Sequence, residues 1–144
     1  MKGLTIHQPW AGFVAAGMKR IETRSWPTEY RGEIAIHAGM RCETWGLGDL
    51  LEVVREMNEK FHTLHVARGA IIAVATLSDC VRTQDLVCLD DRERLLGNYE
   101  PGRWAWRLES VVVLDNPVPC RGMQRIWTVP PEVEKLVRDE RLPF

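Results

Sequence analysis

The sequence predicts an α+β protein built on a mixed sheet or small barrel with helices on the outside. At least five short segments have the residue pattern of strands, and helical segments are inserted between them without strict strand-helix alternation. No GxGxxG or P-loop occurs, which disfavours a nucleotide-cofactor fold. The 144 residues, 45% hydrophobic and 27% charged, fit a single soluble domain over residues 1–144 with a core of its own.

In the first third of the chain, residues 2–6 predict a strand, and Pro9 then stands at the favoured first position of a helix. Its buried stripe is Trp10, Phe13 and Val14, and Gly17 ends it. Strands follow at residues 20–25, which stop before Pro27, and at residues 33–37.

The longest helix is predicted from residue 43 to about residue 61, where apolar side chains recur at helical spacing. Residues 70–77 are apolar and β-branched and predict a central strand. Residues 83–102 predict a long loop with one helical turn near residues 91–96. Residues 103–109 alternate as a strand that places Trp104, Trp106 and Leu108 on one face, and residues 111–114 continue the sheet up to an interruption by prolines. A last helix follows Pro131 and runs to about Asp139.

The formal net charge of −1 argues against a protein that grips a long duplex through a broad basic face. Any contact with nucleic acid is therefore expected to be local. The early cations that could supply it are Lys19, Arg20, Arg24, Arg31 and Arg41.

Cysteine and histidine spacing predicts no metal site and no cofactor. The four cysteines form no CxxC, and the histidines form no HExxH. His62 and His65 are interpreted as a solvated helix end. Without a secretory signal or an apolar run of about 18 residues, the chain is expected to be cytoplasmic with reduced thiols and no membrane span.

The most informative segment is residues 17–26 (GMKRIETRSW). On a strand, Glu22 and Arg24 point to one face, and Lys19 lies in the turn before them. These charges can fix a small polar or anionic ligand. The alternative is an exposed ion-pair ladder worth about 0 to 1 kcal/mol per pair.

Several segments in order along the chain are similar to the ASCH domain family (activating signal cointegrator homology), a branch of the PUA-like β-barrels. They are residues 4–10 (LTIHQPW), 17–26, 30–32 (YRG), 36–38 (IHA), 69–80, 99–106 (YEPGRWAW) and 122–129 (GMQRIWTV). The GxKxxExR core alone is a weak signal, but together with HQPW and the later tryptophan strand it is fairly specific.

The resemblance implies a small PUA-like β-barrel of mixed strands with flanking helices, which binds RNA or another single-stranded nucleic acid in a cleft beside GxKxxExR. Lys19, Glu22 and Arg24 match the charged positions of the family motif. His7, Gln8 and Trp10 match its HQPW segment. Some small members of the family are amidohydrolases that deacetylate acetylcytidine with a lysine, a threonine and a glutamate. The resemblance implies this activity as an alternative.

In this chain Glu22 stands where those amidohydrolases carry threonine, which argues against the same reaction. If the protein is an enzyme, Lys19 is the expected base or nucleophile, with Glu22 beside it. An amine with an ordinary pKa near 10.4 must be desolvated or placed beside a cation to react at neutral pH.

Further ligand-binding candidates flank turns and strand ends. Trp26 and Trp127 are candidates for a wall on which a base stacks, and Gln124 could hydrogen-bond to a base edge. His37 is interpreted either as a core histidine or as part of the site wall. Trp10, Trp104 and Trp106 could be core residues or stacking platforms.

We therefore predict a domain that binds nucleic acid or a nucleotide, its partner being RNA, another single strand, or a nucleotide or nucleoside. The alternative is a small amidohydrolase acting on modified nucleosides such as acetylcytidine. A protein-interaction module is the third possibility, favoured only if no pocket forms around Lys19. The sequence leaves the oligomeric state open.

Overall fold

The computed structural model describes residues 1–43, 47–61 and 66–141. Six strands form one sheet in the order β2-β5-β4-β3-β1-β6. The strands are β1 Lys2–Gln8, β2 Ile21–Arg24, β3 Gly32–Cys42, β4 Ala70–Arg82, β5 Trp104–Pro119 and β6 Ile126–Thr128. The helices are α1 Trp10–Ala15, α2 Leu51–Lys60, α3 Asp91–Leu95 and α4 Pro131–Asp139, with 3-10 turns at Leu47–Leu50 and Thr83–Asp85.

The sheet is mixed, as predicted, because β1 and β3 run parallel while the other neighbouring pairs are antiparallel. β4 is a central strand, and its apolar run serves two cores. Ile72 packs with Phe13 and Trp106 in one buried cluster, while Ile71 packs with Val137 in the other. The apolar run of β4 is therefore explained by burial on both faces.

The predicted barrel is not closed, and this part of the fold prediction is wrong. β2 and β6 are the two edges of the sheet. In the antiparallel ladder between β2 and β5, the backbone N–H and C=O groups of Ile21 and Thr23 point away from β5. In a closed barrel, another strand would pair with these groups. Side chains bind them instead: Lys19 Nζ donates to the Ile21 carbonyl, Glu22 Oε1 accepts from the Thr23 amide, and Arg103 Nη2 donates to the Thr23 carbonyl.

Several element boundaries also differ from the prediction. β3 continues to Cys42, and after residue 43 the described residues resume with the 3-10 turn Leu47–Leu50, before α2. β5 extends to Pro119, but its ladder with β4 shifts register between Val113 and Val118, so residues 114–117 form a bulge where the proline interruption was predicted. β2 pairs with the first four residues of β5, so Pro117 and Pro119 lie where β5 has a partner strand on one side, β4. A strand tolerates the missing N–H of proline on its unpaired side.

The region between β4 and β5 contains the predicted helical turn as α3. The Asp90 side chain caps it by accepting from the Glu93 amide at 2.8 Å. The interpretation of His62 and His65 as a helix end falls outside the described residues.

Candidate nucleic-acid interface

A cleft of about 520 Å³ occupies the gap where the sheet does not close. We call it the edge cleft, defined by its lining residues on three sides. β1 contributes residues 5–7, and β2 contributes Glu22 and Arg24. Trp10, Trp26 and the segment 123–125 complete the wall.

Strand alternation in β2 sends Glu22 and Arg24 into the edge cleft together, as predicted. Arg24 Nη2 donates to the Thr5 carbonyl at 3.0 Å and lies 3.6 Å from Glu22 Oε2. Glu22 is 8% exposed, and a quarter of the Arg24 side chain is accessible. The pair is thus a partly buried, oriented unit and not an exposed ladder.

The aromatic part of the cleft is Trp26 with its neighbours. Its ring meets Trp106 edge to face, with centroids 4.7 Å apart and an interplanar angle of 88°. The Arg125 guanidinium lies 4.6 Å from the Trp26 ring centroid. Trp106 is fully buried and belongs to the core, whereas the half-buried Trp10 lines the cleft. The cleft therefore combines indole faces with cations.

Lys19 lies below the cleft and is not one of its lining residues. It is 1% exposed, and its ammonium donates to the Ile21 carbonyl. Burial lowers the pKa of Lys19 below its ordinary value, against the opposing charges of Glu22 and Glu93. The desolvation that a reactive lysine requires is present, but the amine is turned toward the backbone of β2.

The sequence did not indicate the neighbours of Lys19. A Cβ at Gly97 would lie 3.5 Å from Lys19 Nζ and 2.8 Å from the Tyr99 ring. The Tyr99 hydroxyl is buried, and burial together with Glu93 and Glu22 raises the pKa of Tyr99. Glu93 lies in the helical turn predicted near residues 91–96 but was not singled out, and only its capping spacing after Asp90 could have marked it.

A second concavity of about 610 Å³ adjoins the edge cleft and shares Thr5, Met123 and Gln124 with it. We call it the glycine pocket because Gly39, Gly69 and Gly122 line it.

His37 lies in the wall of this pocket. It is 2% exposed, its Nε2 is 2.7 Å from the Cys120 carbonyl oxygen, and burial lowers its pKa. The ring also meets Trp127 edge to face, with centroids 5.6 Å apart.

Besides Lys19, two predicted ligand contacts are not brought to either concavity. Gln8 is fully buried, its Nε2 donates to Ala67, and its Oε1 accepts from the Gly12 amide in α1. Trp127 is buried, and its Nε1 donates to Thr5 Oγ1 at 3.2 Å. Gln8 holds α1, and Trp127 packs behind the Thr5 wall.

The structure brings the other candidates together and adds some that the sequence reasoning missed. His7 and Gln124 line the edge cleft with Glu22, Arg24, Trp10 and Trp26. Thr5, Met123 and Arg125 were not singled out. Arg125 lies between Gln124 and β6, but no periodicity in the sequence marks it as a partner of Trp26.

In the part of the chain that the structure describes, no group of three or more metal-ligating side chains is assembled. Among the same residues, no helix is long and apolar enough to cross a bilayer.

Comparison with known proteins gives a consistent picture. The ASCH domain family model matches residues 4–117. Activating signal cointegrator 1 of Mus musculus is 33% identical over 81 residues, 54% of this chain and 14% of that protein. Its Homo sapiens counterpart is 51% identical over 35 residues, 24% of this chain and 6% of that protein. The matched parts therefore span a small fraction of those relatives.

Solved structures with the same fold include the ASCH protein from Zymomonas mobilis. It superposes with a TM-score of 0.60 at 15% identity, covering 96% of this chain and 93% of that one. A tyrosine-to-phenylalanine variant of it gives a TM-score of 0.55 at 13% identity, covering 96% of both chains. At this identity the likeness concerns the fold alone.

Proposed function

The chain belongs to the ASCH domain family, and from that premise we propose that its edge cleft binds a nucleotide unit of RNA or another single-stranded nucleic acid. The observation that carries the proposal is the convergence of Arg24 and Arg125 with the indoles of Trp10 and Trp26 on one concave surface. Cations that follow a phosphate backbone and rings that stack on bases are the two elements of single-strand binding.

Each side chain of the cleft has a role that its chemistry supports. Arg125 carries a planar fork suited to phosphate, and the N–H groups of Arg24 that do not hold Thr5 can serve the same purpose. Gln124 and Glu22 offer amide and carboxylate groups for the polar edge of a base. A volume of about 520 Å³ lies within the range of roughly 300–1,000 Å³ typical of small-ligand sites.

A titration of short single-stranded RNA at low salt tests the proposal. Arg125→Ala should weaken binding, because it removes a cation from the cleft. Arg55→Ala is the matched control, since Arg55 is exposed on α2 and pairs with Glu52 at 2.8 Å, away from the cleft. Equal affinity of wild type and Arg125→Ala would count against the proposal, and so would an equal loss in both variants.

One observation favours a second function, hydrolysis of a modified nucleoside such as acetylcytidine. The buried Lys19 has a lowered pKa, and it interacts electrostatically with Glu22, which lines the cleft. Release of cytidine from acetylcytidine by wild type, and its loss in Lys19→Met, would support this activity. No turnover above buffer at high protein concentration would remove this substrate.

We also propose a reducing, cytoplasmic location. The four cysteines Cys42, Cys80, Cys88 and Cys120 are all free thiols, which fits that environment. Fractionation of the native cells tests the compartment, and a thiol-reactive label tests whether the four cysteines are reduced there. Cysteines that are oxidised in the cell would contradict the proposed location.

A further inference from the structure

We propose that the glycine pocket is a second subsite, which takes the nucleotide unit next to the one in the edge cleft. The inference rests on the proposed function and makes it more specific. The ligand is then an oligonucleotide of at least two units, and a free nucleoside would fill only half of the site.

The first argument is continuity. The glycine pocket and the edge cleft share Thr5, Met123 and Gln124 as common wall residues. Met123 is 61% exposed, so the boundary between the two concavities is a side chain at the surface and not a buried partition. A strand bound in one concavity can therefore continue directly into the other.

The second argument is the shape and chemistry of the pocket. A Cβ at Gly122 would lie 2.5 Å from His37 Cε1, and a Cβ at Gly69 would lie 2.9 Å from Met40 Sδ. Gly122 therefore packs directly against His37 and Gly69 against Met40, so this part of the pocket wall is backbone, bordered by the thioethers of Met40 and Met123. Thioethers are favourable contacts for the edge or face of a flat ring, as a nucleobase requires.

The third argument is an unused hydrogen-bonding atom. Nε2 of His37 is engaged by the Cys120 carbonyl, which assigns the proton to Nε2 and leaves Nδ1 as an acceptor. Nδ1 is buried and has no partner among the described residues. Buried polar atoms are nearly always satisfied, and a Cβ at Gly122 would lie 2.6 Å from Nδ1, so a ligand donor such as a ribose hydroxyl or a base amino group would reach this acceptor through a shift of Gly122.

The charges complete the assignment. Arg121 lines the glycine pocket and Arg125 lines the edge cleft, on the same segment of chain. A phosphate that links two nucleotide units would thus lie between two cations. An acidic ligand without bases would contact the two arginines but not the apolar walls, and a purely apolar ligand would contact the walls but not the arginines.

The experiment compares a nucleoside 5′-monophosphate with the dinucleotide and tetranucleotide of the same base, by calorimetric titration of the full chain. The variant is Met40→Glu, which places a negative charge at the pocket wall. Met40 is 75% exposed, so this change does not disturb the core. Val87→Glu is the matched control, because Val87 is 94% exposed and lines neither concavity.

Wild type and Val87→Glu should bind the dinucleotide about tenfold or more tightly than the monophosphate, because one further stacked base is gained. Met40→Glu should lose this gain and keep the wild-type affinity for the monophosphate.

If wild type binds the two ligands equally, or Met40→Glu keeps the full gain, the second subsite is overturned while the proposed function stands. If no ligand in the series binds, both the subsite and the proposed function fail.

Discussion

The Arg24 guanidinium donates to the Thr5 carbonyl at 3.0 Å and so joins β2 to β1, two strands that are not neighbours in the sheet. The charged segment that the sequence singled out therefore has a structural role beside its place in the cleft. Lys19 and Glu22 also have structural roles, but within β2, since each binds an outward-facing backbone group of that strand. These contacts satisfy an unpaired strand edge and leave a gap that a ligand can enter.

The first prediction concerns this bridge. Arg24→Met keeps much of the apolar stem but removes the donors, and should lower the free energy of unfolding by about 1 to 2 kcal/mol, as expected for a partly buried hydrogen bond from a charged group. Urea denaturation followed by circular dichroism measures the change. Arg107→Met, on the exposed side of β5, is the control. Equal stability of the two variants would contradict the bridge.

The second prediction is a pH dependence due to Lys19. Because burial lowers the pKa of its ammonium in the folded protein, the unfolded chain binds more protons in the range below the ordinary value of 10.5. The free energy of unfolding contributed by this group must then rise with pH between the lowered folded pKa and 10.5.

The measurement is the difference in unfolding free energy between wild type and Lys19→Met, taken by urea denaturation from about pH 7 to about pH 11. The difference should shift in favour of wild type as the pH rises, and level off above the ordinary lysine pKa. Both proteins retain Tyr99, whose raised pKa acts in the opposite direction at high pH. A difference that does not change with pH would refute the linkage.

Strand alternation and apolar periodicity were enough to predict strands β1 to β5 and the common orientation of Glu22 and Arg24, but not the short edge strand β6. Contacts between distant segments were not predictable in this way. The position of Arg125 over Trp26 joins residues far apart in sequence, and no local pattern encodes it.

The failure to predict an open sheet has the same origin. Closure depends on whether an edge is paired by a strand or satisfied by side chains, and the segment 17–26 is compatible with both. Gln8 was expected at the ligand for a similar reason: a buried amide that holds a helix has the same sequence signature as one that binds a base.

The third prediction concerns Gly122. A Cβ at this position would lie 2.5 Å from His37 Cε1 and 2.6 Å from Thr5 Oγ1, both in well-packed surroundings. Gly122→Ala should therefore cost about 1 to 3 kcal/mol of unfolding free energy through overpacking. Gly48→Ala is the control, because a Cβ at Gly48 meets nothing within 4 Å. Thermal and urea denaturation of both variants measure the change in unfolding free energy. Equal stability of Gly122→Ala and the control would contradict the prediction, because the residues around Gly122 would then accommodate a Cβ without cost.

The fourth prediction is the salt dependence of single-strand binding. If Arg24 and Arg125 each neutralise one phosphate, the slope of log K against log salt should be about −1.4, since each phosphate contact on a single strand contributes about −0.7.

Arg125→Ala should reduce that slope to about −0.7, whereas Arg55→Ala should leave it unchanged. Titrations of a short RNA at several salt concentrations measure the slopes. A slope near zero in wild type would mean that the cleft does not engage the phosphate backbone. A much steeper slope that both variants share would instead place most of the phosphate contacts outside the edge cleft, because the slope counts every phosphate that is neutralised.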